Sequence, residues 1–312
     1  LYLWGLEGAL TVFSIPVLLA GAVLAGQDVA APSRQQQALH TLLTAANPLI
    51  VEGDAHYRRR QEGRVGSRAS SEEISKAVAA YEKAGEARGS AEARWKLARA
   101  LYFEATYTGL DAATRRGRLE KARRVSEEAI AILAERAQGL GKKRFRDLAP
   151  REMAAAIHRD PDAPPSFFWA SVAWGEWALA VGKWKAARTG AAKTIRDYAA
   201  TLVALDPEFE EGGGYRILGR LHDEAPRIPL VTGWVSRKEA LRNLRLAVRV
   251  NPRNFVNRLF LAEALSKGGP AERGEAVRIA RALIEEAPSP IHLVEELKIQ
   301  EDARRDLKRW NS

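Results

Sequence analysis

Five histidines are the obvious candidates for chemistry, and their spacing argues against it. His40, His56, His158, His222 and His292 are never four residues apart, and no HExxH occurs, so the sequence does not favour a zinc site. His222 instead fits a packed ring position. Gly212-Gly213-Gly214 precedes a helical run, a geometry that can offer backbone N–H groups to an anion. No strand-like run comes before it and no GK[ST] follows, so a turn that lets Tyr215 pack is the simpler reading. No serine sits in a G-x-S-x-G elbow, and the pairs Glu72-Glu73 and Glu285-Glu286 read as solvated helix positions. With no cysteine the chain has no thiol nucleophile, no disulfide and no cysteine lipidation. Acid, base and nucleophile never converge. The sequence reads as non-enzymatic, with no cofactor or metal expected.

Binding is the chemistry that remains. Lys238, Arg242, Arg245 and Arg249 are spaced four, three and four, which stacks them on one face of a helix opposite Ala240, Leu241, Leu244, Ala247 and Val248. Four cations in a stripe repel one another, and an acidic partner or a lipid phosphate would relieve that cost. A solvated face partly neutralised by Glu239 is the plainer alternative. Just upstream, Asp223 to Ser236 carries prolines and Trp234 and reads as an insertion, which makes Trp234 and the stripe the candidate partner-binding residues. Arg58 to Arg60 and Lys142 to Arg146 could extend them into a membrane-facing basic rim. Phe167, Phe168, Trp169, Trp174, Trp177 and Trp184 are too many rings for one helix stripe. Some are expected to face a groove, solvent or another subunit.

The formal charge of +10 and pI near 9.9 raise the weight of acidic partners and anionic lipid. Nucleic acid would call for a recognisable module or aromatics interleaved with an arginine face, and neither is visible, so no nucleic-acid partner is expected. The chain is 46% apolar and rich in Ala and Leu, while Val/Ile/Thr alternation is scarce. All-α is the expected class.

The elements follow from residues 206 to 252. Asp206-Pro207 closes one helix, and Tyr215, Leu218, Gly219 and His222 then form an aromatic, Leu-Gly, ring series. Gly219 marks where a neighbouring helix approaches closely. A second run from Arg237 presents Ala240, Leu244 and Ala247, and Pro252 stops it. Similar pairs recur with Trp95, Ala98 and Tyr102 before Leu119 to Leu133, and with Leu261 and Leu265 before Glu272 to Ala287 and Pro288. Pro252 to Pro288 is 36 residues, close to the roughly 34-residue tetratricopeptide period. Pro207 to Pro252 is 45, lengthened by the insertion. The expected architecture for 27–312 is therefore a tetratricopeptide-like α-solenoid of antiparallel helix pairs. Further expectations are a break across Asp160 to Ser166, an insertion from Thr106 to Arg115, and a capping helix within Ser289 to Ser312.

Residues 1–26 form the other region. Ala9 to Ala25 is 17 residues without a charge, roughly 26 Å as a helix. Phe13, Leu18 and Leu19 supply apolar bulk, and Tyr2 and Trp4 suit an interfacial belt. An uncleaved transmembrane anchor, a signal peptide cut after Ala25 and a buried core helix all fit the stretch, with the anchor favoured.

Three stretches together resemble a known family: WKLARALYFEATY (95–107), GGYRILGRLHDEAPRIP (213–229) and 251–265. They are similar to the T component of tripartite ATP-independent periplasmic transporters, the helical protein that accompanies a periplasmic solute-binding protein. The resemblance implies a periplasmic, membrane-tethered, often trimeric α-solenoid that passes hydrophobic or acidic ligands to its partner. Family members are typically tethered through a cysteine, which this chain lacks, and its apolar N-terminus could replace that tether. The alternative expectation is a structural subunit docked in a larger membrane complex.

Overall fold

The computed structural model describes residues 47–86, 89–137, 139–140 and 143–311. The expected anchor at 1–26, with Tyr2, Trp4, Phe13, Leu18 and Leu19, lies outside the described residues. Among those described, no helix is long and apolar enough to cross a membrane. They fold as thirteen α-helices: α1 (Pro48–Arg58), α2 (Ser71–Glu86), α3 (Ala91–Tyr107), α4 (Ala112–Arg136), α5 (Pro150–Ile157), α6 (Ala163–Val181), α7 (Lys183–Arg188), α8 (Ala191–Leu205), α9 (Phe209–Glu224), α10 (Arg237–Val250), α11 (Phe255–Ser266), α12 (Pro270–Glu285) and α13 (Leu293–Asn311). The all-helical class is therefore observed.

Local sequence explains most starts. Asn47, Ser90, Asp111 and Asn254 each accept a backbone N–H of the first turn through the side chain. Two boundaries differ from expectation. The break expected across Asp160 to Ser166 is present but ends earlier: α5 stops at Ile157 and α6 starts at Ala163, because Pro164 and Pro165 fit its first turn, where a missing N–H costs nothing. The expected insertion after Thr106 shrinks because α3 runs on to Tyr107 and Asp111 caps α4 at Ala112.

Consecutive helices pack on one another from α1 to α4 and again from α8 to α13. Between these two runs, α6 touches α3, α4, α7, α8 and α9. That explains its rings: Phe167, Phe168, Trp169 and Trp177 are all buried, and Trp174 is half-buried with its indole N–H donating to Glu127. The surplus aromatics on α6 do not face solvent, because this helix has neighbours on every side. Of the six rings only Trp184, on α7, is exposed.

The α9–α10 pair is built by close approach. The backbone turns left-handed through Glu210, Glu211 and Gly212, so the regular part of α9 begins after Gly212. A Cβ at Gly212 would lie 3.1 Å from the Ala247 backbone on α10, one at Gly213 2.6 Å from the Phe168 ring on α6, and one at Gly214 2.6 Å from Val203 on α8. At Gly219 it would meet Leu244 at 2.6 Å and the Leu244 amide nitrogen at 3.0 Å. Ala240, Leu261 and Tyr102 are buried, while Trp95 and Leu218 are half-buried against the core. Pro252 and Pro288 stand just past the ends of α10 and α12.

The buried face of α9 is rotated from the expected one. Tyr215 and His222 are half-exposed, whereas Arg216 and Arg220 are buried. Arg216 donates to the Asn257 carbonyl oxygen of α11 at 2.9 Å and to the Glu210 backbone carbonyl, and Arg220 pairs with Glu263. A pattern of apolar spacing does not anticipate arginines inside, because burial is tolerable only where acceptors arrive from elsewhere in the chain.

The last helix docks on the loop that follows α1. Arg60, expected on a basic rim, is buried and paired with Glu295 of α13 at 2.8 Å, and it also donates to the Ile291 carbonyl. Gln61 donates to the same carbonyl at 2.7 Å and accepts from the Val294 N–H at 2.8 Å. Beside this seam Glu296 is nearly buried and accepts the Ser289 N–H. Burial, with Glu295, Glu286 and Glu211 nearby, pushes its pKa from 4.5 up to about 7, although the Ser289 amide opposes the rise.

A raised folded-state pKa means that this contribution to stability is complete below about pH 4.5 and is lost as pH climbs through about 7. Denaturant midpoints measured from pH 4.5 to 8 should therefore fall for the wild type relative to Glu296→Gln, and parallel curves would refute the assignment. Gly219→Ala should cost about 1–3 kcal/mol through the forced shift of Leu244. Gly117→Ala, in an exposed part of α4 with nothing nearby, should gain up to about 1 kcal/mol in the same assay.

Candidate functional site

The cation stripe occupies the outer face of α10, with Lys238, Arg242, Arg245 and Arg249 all exposed. Two of the four are already partnered. Arg242 pairs with Glu239 at 2.9 Å, and Arg245 forms two bonds to Glu275 of α12, at 3.1 and 2.9 Å. Arg245 thus ties α10 to α12, and the stripe reduces to Lys238 and Arg249 as cations without an ion pair among the described residues. Arg59, from the expected rim, is likewise spent on Glu73 at 2.7 Å.

Trp234 does not project. Its indole N–H donates to the Val231 carbonyl at 3.2 Å, its ring meets His222 edge-on at 5.3 Å, and Arg196 of α8 covers it at 4.7 Å. His222 in turn accepts the Ser236 N–H at 3.1 Å, one of the unsatisfied donors at the start of α10. The ring pair therefore seats the Pro226–Val235 loop against α8 and α9. Inside the loop, the buried Thr232 hydroxyl donates to the Pro226 carbonyl and accepts the Ile228 N–H at 2.9 Å.

Beneath this loop lies a cavity of about 190 Å³ between α6, α7, α8 and α9. Its wall is largely apolar, with Ala186 and Ala187 from α7, Ala191 and Ala192 from α8, and Ile217 and Leu221 from α9. Alanines leave room that larger side chains would fill. A dry apolar cavity of roughly 150 Å³ suffices for a benzene-sized guest, so the space suits a small apolar group.

Charge gathers at one edge of the cavity. Arg220 Nη1 lies against Glu263 and within 3.5 Å of Glu224 and 3.6 Å of Asp223. Lys267 reaches Asp223 at 2.9 Å and Glu224 at 3.1 Å, and Lys183 also pairs with Glu224. Burial would raise the Glu224 pKa, yet Arg220, Lys183 and Lys267 outweigh it and hold the carboxyl at about 2. Three cations and three carboxylates thus neutralise one another, and this edge is a structural clasp between α7, α9 and α11. Among the described residues, no group of three or more His, Asp or Glu side chains is arranged to hold a metal.

No family model matches the chain, and no curated protein does either. The geometry is what bears on function.

Sequence reasoning named the loop and the helix beside it but missed the cavity. The available signal was the run of small residues in KWKAARTGAA (183–192). Alanine is ambiguous in sequence, since the same residue lines a void or a tight helix contact.

Arg220→Met should destabilise the protein by about 3–5 kcal/mol, since it leaves three carboxylates with two lysines. Urea denaturation measures the loss, and the double variant with Glu263→Gln should recover part of it.

Proposed function

We propose that this chain is a non-enzymatic, tetratricopeptide-like helical-repeat protein that holds a small apolar or amphipathic ligand and passes it to a protein partner. The apolar cavity between α6, α7, α8 and α9 carries this reading. Its charged neighbours already satisfy one another, which suits retention of a guest rather than attack on it. Consecutive packing of α8 to α13 and the spaced prolines support a solenoid of helix pairs. The likeness of 95–107, 213–229 and 251–265 to the T component of tripartite ATP-independent periplasmic transporters supports a solute-binding protein as the partner, an extracytoplasmic site, and tethering through 1–26.

A second reading, a scaffold subunit of a larger membrane complex, draws on Lys238 and Arg249. Both stand exposed on one helix face and would suit an acidic partner surface, including a second copy of this chain.

The cavity is testable directly. Titration with 1-aminonaphthalene, a small fluorophore whose emission shifts to the blue in apolar surroundings, should saturate at one site per chain. Ala187→Leu, which fills the cavity, should weaken that binding about tenfold or more while leaving the thermal midpoint within a few degrees. Equal binding by the variant would move the ligand elsewhere and sink the reading.

A further inference from the structure

Large exposed apolar side chains are few among the described residues, and three of them are gathered on the two elements that border the cavity. Trp184 on α7 is 66% exposed, and Leu230 and Val231 at the tip of the Pro226–Val235 loop are 106% and 47% exposed. Single exposed apolar residues are ordinary, but a cluster needs an explanation. These two elements bracket the cavity: Ala186 and Ala187 of α7 wall one side of it, and Pro226 and Thr232 of the loop wall the other.

The loop holds its tip outward as a built feature. Thr232 N–H donates to the Ile228 carbonyl at 2.9 Å and Val231 N–H to the same oxygen at 3.2 Å, while the Thr232 hydroxyl and the Trp234 indole close the base. Leu230 itself sits at φ 63°, a left-handed backbone that a leucine rarely adopts. A bonded loop that accepts this conformation and leaves the side chain wholly in water presents that side chain to something.

The charge around the cluster says what. Lys185 and Arg188 on α7 and Arg227 in the loop are exposed, and none takes part in an ion pair among the described residues. The nearby acids are covered: Glu224 and Asp223 by Lys183, Lys267 and Arg220, and Asp197 by Lys193 and Arg196. The outermost layer is therefore basic and apolar, with a tryptophan among lysines. That composition matches the interface of an anionic bilayer, where Trp seats at headgroup depth, aliphatic side chains enter the acyl boundary and cations meet lipid phosphates.

We propose that the α7 face and the Pro226–Val235 loop dock on an anionic membrane surface, with Trp184, Leu230 and Val231 inserted and Lys185, Arg188 and Arg227 on headgroup phosphates. Docking in this pose turns the cavity toward the bilayer, so an apolar guest crosses between lipid and protein without entering water. The purpose of docking rests on the ligand reading above; the docking itself does not.

The chain contains no cysteine, so one introduced thiol labels a single position of it. Leu230→Cys carrying an environment-sensitive nitrobenzoxadiazole should brighten at least about twofold on phosphatidylglycerol-containing vesicles and be quenched by brominated acyl chains. The same label at Val65→Cys, an exposed site in the α1–α2 loop, should stay in water. The readout is local, so it is independent of how else the chain reaches the vesicle. Adding Lys185→Glu, Arg188→Glu and Arg227→Glu should lower the inserted fraction about tenfold or more at physiological salt. A label at 230 that stays in water on anionic vesicles overturns the proposal, which is also the result if the face belongs to a protein. Equal insertion into pure phosphatidylcholine overturns the headgroup role of the cations. Insertion without 1-aminonaphthalene binding leaves docking intact and removes only the carrier reading.

Discussion

Three consecutive glycines put one stretch of backbone against three helices at once. Gly212 lies on α10, Gly213 on the Phe168 ring of α6, and Gly214 on Val203 of α8. At Gly213 and Gly214 a Cβ would fall 2.6 Å from its neighbour, so a side chain there would force α6 or α8 to shift, and at Gly212 a tight 3.1 Å adds to a left-handed φ of 84° that favours glycine. The left-handed turn through Glu210 and Glu211 that delivers the glycines is costly for such residues, and it persists because packing on three sides determines it. The position of α9, and with it the loop and the cavity wall, follows from this node.

A second constraint is charge in the interior. Arg60, Arg216 and Arg220 are all buried, and each finds acceptors on a helix distant in sequence: Glu295, Asn257 and Glu263. Burial of a guanidinium is tolerable only when such partners are in place, and a missing partner is more costly than the pair is favourable. These contacts therefore act more as specificity than as stabilisation, since a slipped helix would strand a charge. The Arg60–Glu295 pair fastens α13 to the loop that joins α1 and α2.

Function follows from where these constraints leave space. Alanine-rich α7 and α8 cannot fill the gap that α9 leaves against α6, and the clasp around Arg220 seals one edge of it. The loop above is pinned at its base by the His222–Trp234 ring pair and the buried Val235, which leaves Leu230 and Val231 at its tip free of the core. Cavity, mouth and apolar lips thus share a single cause in the placement of α9.

Much of the helical plan was legible because its signals are local. The cap at Ser90, the stop at Gly182 (φ 95°), and the inward faces of Ala122, Val125, Ala129 and Leu133 depend on residues within one or two turns, whereas the cap at Asp111 is hidden in what reads as an insertion. Glycine at 219 likewise speaks for a close neighbour whatever that neighbour is. The candidate site was legible only in outline, as a proline-bearing insertion beside a charged helix. Whether an arginine on α10 is free depends on Glu275, 30 residues on, and whether Trp234 projects depends on His222 and Arg196. The rotation of α9 that buries Arg216 in place of Tyr215, and the void among alanines, are likewise decided by distant partners. Sequence by itself determined the all-helical class and most helix ends, because capping and periodicity are short-range. Tertiary structure alone decided which charges are spent and where space remains, because ion pairing and packing are settled by residues far apart in the chain.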